Sequence, residues 1–189
     1  RRFWSGEHLR EIVRIRRWAE RVHLVRAQTP QLPLAARCFA LLIECSELWR
    51  RHQPLQTVSG FNFASFNDLS GAHVALRSLA LWQYEHRQLS EPFQWSTLEL
   101  PPAAEQLDLV GDCRVDVKAS GRCHAICCWV DFQLRDDYWL QTGPCAPTSW
   151  AQAAIFLDAP LDVFEAQQCH ISLHLGLSAI GTLTGGVQL

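Results

Sequence analysis

Hydrophobic and polar residues alternate with a period of two through most of the chain after about residue 80. In CRVDVKA (113–119), Cys113, Val115 and Val117 fall on one face, and Arg114, Asp116 and Lys118 fall on the other. In CHAICCWVDFQL (123–134), Ile126, Cys128, Val130, Phe132 and Leu134 share a side, and Trp129 has the opposite parity. That parity sets Trp129 either on an outer face, where it would meet helices from beyond this chain, or in a core role. In CHISLHLGL (169–177), Ile171, Leu173 and Leu175 oppose His170, Ser172 and His174. FQWSTLEL (93–100) alternates until PPAAEQ breaks it, AAIFLD (153–158) is a short apolar run, and IGTLTGGVQL supplies a last strand. Period two puts one face of each strand in a core. Short strands divided by Gly, Pro and Asp at near-regular spacing predict an antiparallel barrel or sandwich.

The first third has a different pattern. Residues 6–23 carry Leu9, Ile12, Val13, Ile15, Trp18, Ala19 and Val22 at spacings of three and four, with Arg10, Arg14, Arg17 and Arg21 on another stripe. This predicts an amphipathic helix with Ser5 available as its cap. The arginine stripe reads as a solvated face, since no aromatic interleaving marks a nucleic-acid surface. AARCFALLIECSELW (35–49) fits helix or strand by periodicity. Prolines before it and RRHQP after it favour a strand from Arg37 to Glu44. VSGFNFASFNDLSG (58–71) sets Phe61, Phe63 and Phe66 between two glycines, an aromatic cluster that packs on its own body or on a partner.

The composition is 48% hydrophobic and 19% charged over 189 residues, enough for a core without metal or disulfide staples. A net charge of −2 gives no field that draws the chain to nucleic acid or an acidic membrane, so neither is expected as a partner. No run reaches the roughly 20 apolar residues of a membrane span. The first residues, RRFWSGEHLREIV, hold no signal-peptide core. The chain starts at Arg1 and has no methionine, so it is expected to be cut from something longer.

The eight cysteines sit mostly in apolar runs, and Cys123, His124, Cys127 and Cys128 share one strand rather than a ligand knuckle. Buried free thiols, no bound metal and a cytoplasmic or nuclear location are therefore expected. No GxGxxG, P-loop, GxSxG or HExxH occurs. Asp136 and Asp137 sit in a polar turn, and no acidic or cysteine partner is spaced with His170 or His174 for a triad. No catalytic residue is assigned.

Six segments in order resemble the C-terminal half of protein arginine methyltransferases, and above all the second module of the family's tandem-module member. FWSGEHLREIVRIRRW is similar to the last helix of the methyltransferase half, and LPLAARCFALLIECSELWRRHQP to the strand leading into the barrel. VSGFNFASFNDL resembles the Gly-Phe-Asp segment at the dimerisation arm, and LWQYEHRQLSEPFQWSTLEL the Leu-Ser-Glu-Pro stretch with its strand. GRCHAICCWVDFQL resembles the His-Ala barrel strand. PTSWAQAAIFLDAP sits where the family has a Thr-His-Trp loop followed by Lys-Gln.

The resemblance implies a mostly β fold with an N-terminal helix: an antiparallel barrel or sandwich with a helical dimerisation-arm segment. Residues 1–34 would be the last helix and link of a missing methyltransferase half. Residues 35–189 would be the barrel domain, with an arm-like segment at 49–80. The implied parent transfers a methyl group from S-adenosylmethionine to arginine-containing protein substrates, through a cofactor site and paired glutamates in the other half. This chain is expected to bind no cofactor by itself, and Glu44 and Glu47 read as structural.

Carried over by position, Thr148, Ser149, Trp150 and Gln152 form the substrate-pocket loop, and Phe61, Phe63 and Phe66 are interface candidates. Ser149 stands for the family's histidine and Ala151 for its lysine, which implies a degenerate module that is inactive alone. Its partners would be the missing half or a first module, in a dimer or pseudo-dimer. A free-standing barrel interaction module with no enzymatic parent is the alternative reading.

Overall fold

The computed structural model describes residues 5–26, 29, 31–70, 76–100, 108–146, 150–177 and 183–189. Helix α1 (Ser5–Arg21) carries Glu7 in its first turn and Arg21 in its last, both favourable to the helix dipole. A short link leads from it into the long strand β1 (Ala35–Glu44). The segment expected as an arm follows: α2 (Ser46–His52), the two-residue strands β2 (Thr57–Val58) and β3 (Phe61–Asn62), and α3 (Ala64–Ser70). The chain returns through β4 (Leu76–Leu79), a 3₁₀ turn (Leu81–Gln83) and β5 (Arg87–Gln88). The remainder is strand: β6 (Phe93–Glu99), β7 (Asp108–Asp116), β8 (Gly121–Arg135), β9 (Tyr138–Leu140), β10 (Gln152–Val163), β11 (Gln168–Gly176) and β12 (Leu183–Gln188).

Every pairing is antiparallel. The larger, seven-stranded sheet runs β4-β10-β8-β1-β5, with β6 also on β1 and β9 on β8; the smaller runs β12-β11-β7. The large sheet curls over the small one as a half-barrel. Between them lies the main core, to which β8 sends Ile126, Cys128, Val130 and Phe132 and β11 sends Ile171, Leu173 and Leu175. These are the parities the alternation predicted, because a strand with one face on a core must repeat every two residues.

The sheets are tied at one end by the Leu89–Ser90 crossing. Leu89 N–H donates to Leu42 O (2.9 Å), Lys118 N–H donates to Leu89 O (2.7 Å), and the buried Ser90 Oγ accepts from Leu42 N–H (3.0 Å). Gly111 of β7 allows a second close approach: a Cβ there would stand 2.6 Å from the Trp95 carbonyl oxygen. Only glycine admits that spacing.

Two features depart from the sequence reading. β8 buries both faces, and Trp129, Cys127 and Ala125 on its outer side join Leu41, Ile43, Leu48 and Leu81 in a second core. Trp129 thus takes the outer face and is buried there by the chain's own α2 and 3₁₀ turn, beside Phe39. Helix α1 also uses a narrower face than expected. Leu9 and Val13 are buried on the barrel, each worth about 1.5–3 kcal/mol. Ile15, Trp18 and Val22, expected on the core side, are 57%, 55% and 44% exposed. Arg16 occupies the buried side instead, where Nε donates to Glu20 Oε1 and Nη2 to Arg26 O, both at 2.7 Å. A guanidinium with two such acceptors tolerates burial that a lone charge would not.

Candidate functional site

Trp150 stands two residues before β10 and wedges between the helix and the barrel. Its ring meets Phe132 edge-on (5.3 Å between centroids, 82°) and stacks on His8 of α1 (5.1 Å, 24°). Phe132 is buried at the end of the β8 core face, so the tryptophan extends the barrel core to the helix. Aromatic contacts of this kind add roughly 0.5–1.5 kcal/mol beyond area burial.

Gln152, two residues on, is fully buried. Its Nε2 donates to Thr142 O (3.0 Å) and to Trp150 O (3.3 Å), and its Oε1 accepts from Leu81 N–H (3.4 Å). Thr142 is itself buried: Oγ1 donates to Val130 O and N–H donates to Asp131 Oδ1, both at 2.7 Å. A buried polar relay therefore runs from β8 through Thr142 and Gln152 to the backbone of Trp150 and the 3₁₀ turn. Gln152 holds the backbone carbonyl of Trp150. Ala151 is fully buried as well. Thr148 and Ser149, the other two residues expected in the pocket loop, lie outside the described residues. His8, Asp131 and Thr142 belong to this assembly and were not singled out by motif. The available signal was polarity in apolar surroundings, as with Asp131 inside the apolar β8 run.

The second candidate set lies on the arm. Phe61, Phe63 and Phe66 are 71%, 36% and 53% exposed, so they do not enter either core. The arm is braced by its own polar groups. Asn67 Oδ1 accepts from Leu55 N–H (2.9 Å) while Asn67 Nδ2 donates to Leu55 O (2.7 Å), and Asn62 Oδ1 accepts from Ala64 N–H (2.9 Å) at the start of α3. The β2–β3 turn has positive φ at Ser59 (50°) and Gly60 (85°), the geometry of a tight hairpin.

The root of the arm rests on His124 of the His-Ala strand. The imidazole is buried, with the Trp49 ring at 6.0 Å, and Nδ1 accepts from Cys45 N–H (3.1 Å). Burial first, and then the Arg122 charge, hold its pKa below the ordinary 6.5; Glu44 pulls the other way. The unfolded chain therefore binds more protons than the folded one between the folded-state pKa and 6.5. The contribution is complete above about pH 7 and is lost as pH falls from the unfolded value through the lower folded-state pKa. Urea unfolding at pH 7.5 and 5.5 is expected to show this loss, and His124→Gln, which cannot titrate, is expected to flatten it. An unchanged slope in the variant would refute the assignment.

Glu44 titrates below that window. Burial alone would raise its carboxyl, but hydrogen bonds from the Arg87 guanidinium and Arg122 N–H hold it below the ordinary 4.5. Glu47 pairs with Arg51 at 2.5 Å, so both glutamates are structurally engaged. All eight thiols are free, six of them buried. Burial pushes Cys123 up to about 12 and Cys38 and Cys127 higher still, which keeps these thiols protonated and inert. Among the described residues no helix is long and apolar enough to cross a membrane.

Among the described residues, four glycines of the barrel are taken up by protein contacts rather than held open for a nucleotide cofactor. Such a site needs glycines whose bare Cα admits the ligand. Here a Cβ at Gly111, Gly121, Gly143 or Gly185 would collide with protein atoms at 2.2–2.9 Å. Gly60 stands at the tip of a hairpin, and Gly186 faces Ser172 on the outer side of the small sheet.

The family described as the arginine methyltransferase oligomerization subdomain matches residues 35–184. The chain is similar to protein arginine N-methyltransferase 7 of Danio rerio, 27% identical over 126 residues that make up 64% of this chain and 18% of that protein. The Rattus norvegicus protein of the same name is 28% identical over 147 residues, covering 69% of this chain and 21% of that protein. The chain thus spans about a fifth of the length of these curated relatives. Among solved structures it is similar to a chain of the Trypanosoma brucei PRMT1 enzyme–prozyme heterotetrameric complex with AdoHcy. The TM-score is 0.68 at 11% identity, with 95% of this chain and 63% of that one covered. A crystal structure of PRMT6 gives 0.63 at 16% identity, covering 98% and 64%. At these identities the likeness establishes the fold.

Proposed function

Because the chain belongs to the protein arginine methyltransferase family and forms its C-terminal barrel part, we propose that it supplies the substrate-access wall and the dimer or pseudo-dimer surface of a parent enzyme that uses S-adenosylmethionine. The observation that carries this reading is the self-braced arm with its exposed Phe61, Phe63 and Phe66, inside the segment matched to the oligomerization subdomain. An exposed aromatic group of this size is characteristic of an association surface.

The helix–barrel joint is the second part of the reading. Trp150, held by Gln152 and stacked on His8, joins the barrel to the helix that would lead from the cofactor-binding half, and the pocket residues expected with it, Thr148 and Ser149, precede it in sequence. The exposed Ile15, Trp18 and Val22 of α1 offer that half an apolar seat. Residues 1–34 then belong with the parent's other half and 35–189 with the barrel. The module is degenerate: Ser149 lacks the reach and the titrating ring of a histidine, and the buried Ala151 lacks the amine of a lysine. Arginine-containing proteins are the substrate class of the parent. The free thiols support residence in the cytoplasm or nucleus. Family membership favours this reading over a barrel with no enzymatic parent.

Calorimetric titration of the chain with S-adenosylmethionine tests where the cofactor site lies. The expected result is no saturable heat up to about 1 mM, a ceiling that corresponds to less than ~4 kcal/mol of binding. Saturation in the micromolar range would overturn the proposal that the cofactor belongs to the other half.

A further inference from the structure

The two sheets of the half-barrel close on one side and stay open on the other. On the closed side β7 comes against β6, where Gly111 admits the Trp95 carbonyl. On the open side β10 and β12 do not pair. Among the described residues β12 pairs with β11 alone, and β4 follows β10 only as far as Ala154. A cleft of about 390 Å³ lies between them. Its cause is a bulge in β10: Phe156 stands opposite Ala125 but Leu161 opposite Cys123, so residues 157–160 swing out of the ladder. Pro160, inside that bulge, has no N–H to offer a neighbour.

The seam leaves part of the main core half-covered. Leu157 and Leu161 of β10 and Val187 of β12 pack against that core, line the cleft and are only partly buried. The edge of β12 is bare as well. Gly185 is exposed, and a residue without a side chain exposes main chain; its Cβ direction is taken up by Leu173 and Ile155. In a strand paired on one side, every second residue directs its N–H and C=O outward, a template for another strand.

Charge decides which strand fits. Strand edges are commonly blunted by charge or proline, and β7 and β10 follow that rule. β7 carries Asp108, Asp112, Arg114 and Asp116, and the open stretch of β10 carries Asp158, Pro160 and Asp162. β12, Leu-Thr-Gly-Gly-Val-Gln, has neither charge nor proline. A two-fold axis sets each residue of a strand near its own counterpart, so a charged edge would meet like charge. An uncharged edge can pair with itself. Parity then fixes the register, because side chains opposed across a pair lie on one face of the sheet. The axis must pass through a residue, and Gly185 suits that crowded centre. Leu183 then opposes Val187 of the second copy over the open core, and Thr184 opposes Gly186 of the second copy on the outer face.

We propose that two copies of the chain join β12 to β12, antiparallel about Gly185, so that the two three-stranded sheets become one and each copy covers the other's seam. This contact is separate from the arm and does not rest on it.

Sedimentation velocity of the chain from about 1 to 200 µM is expected to show a concentration-dependent shift from one copy to two, and no further. Thr184→Lys with Gly186→Lys puts lysine opposite lysine at two symmetric places and should weaken the pairing about tenfold. Both sites accept the change: Thr184 is exposed, and a Cβ at Gly186 meets only Ser172 Oγ at 4.0 Å. An equimolar mixture of that variant with Thr184→Glu, Gly186→Glu should restore the two-copy species, which a folding defect would not allow. Phe61→Asp with Phe66→Asp, on the arm, should leave the pairing unchanged. Should the lysine variant fail to fold, the unaltered chain decides: hydrogen exchange of the β12 amides must slow as concentration rises. A single copy throughout, as for an edge reserved to a strand of another protein, would overturn the proposal. So would growth beyond two copies, a lysine variant that pairs as before, a mixture that stays monomeric, or association abolished by the arm variant.

Discussion

Gln152→Leu is expected to destabilise the chain by about 2–4 kcal/mol, from the desolvation cost of the groups it leaves unpaired. Leucine nearly matches the volume, so lost packing is a minor part. What is lost is the partner of Thr142 O at 3.0 Å, of Trp150 O at 3.3 Å and of Leu81 N–H at 3.4 Å. Each buried polar group without a partner costs roughly 1–3 kcal/mol. The two longer contacts contribute less than the Thr142 contact, which sets the middle of the range. Gln152→Glu should be worse than leucine, since a carboxylate cannot donate to two carbonyls and carries a charge into a fully buried site.

Urea unfolding provides the measure, with a lowered midpoint and an unchanged slope. A second readout distinguishes loop positioning from general stability: the Trp150–His8 stack should loosen in the leucine variant, read as a shift of the His8 ring resonances. A loss below about 1 kcal/mol, typical of surface substitutions, would show that the relay does not hold Trp150.

The legible and illegible parts of this molecule divide along a physical line. Strands β7, β8 and β11 could be read because each sets one face on the main core, and a face repeats every two residues. The second core could not, since Cys127 and Trp129 look like any outward residue until α2 and the 3₁₀ turn cover them. Helix α1 was legible as an element and misread as a face. Amphipathic spacing counts every apolar residue, whereas the barrel accepts only the stripe of Leu9 and Val13 and admits Arg16 because Glu20 and Arg26 O receive it. The candidate loop shows the same division. Trp150 and Gln152 follow from motif position, but the partners of Gln152 stand 10 and 71 residues away along the chain and are brought to it only by the fold. The arm's aromatics were undecided between core and interface by sequence alone, because both roles ask for phenylalanine.

That ambiguity makes the arm the place for the other large effect. The double variant Phe61→Asp, Phe66→Asp is expected to weaken association through the arm by about 100-fold or more, as for aromatic anchors lost from the centre of an interface. The stability of the isolated chain should stay within about 0.5 kcal/mol, because both rings are more than half exposed and touch neither core. Charge at these two positions would have to be desolvated in any apolar seat, which makes aspartate more disruptive than truncation. Sedimentation equilibrium of the parent protein reads the effect as lost mass if the arm joins two chains. Small-angle scattering reads it as an expanded radius of gyration if the arm joins two modules of one chain. In the isolated chain the melting temperature separates the two roles of phenylalanine: a fall of more than about 4 °C, the shift that 1 kcal/mol brings in a domain of this size, would mean that the rings pack on the barrel. Unchanged melting with lost association is the pattern of an arm built to reach a partner.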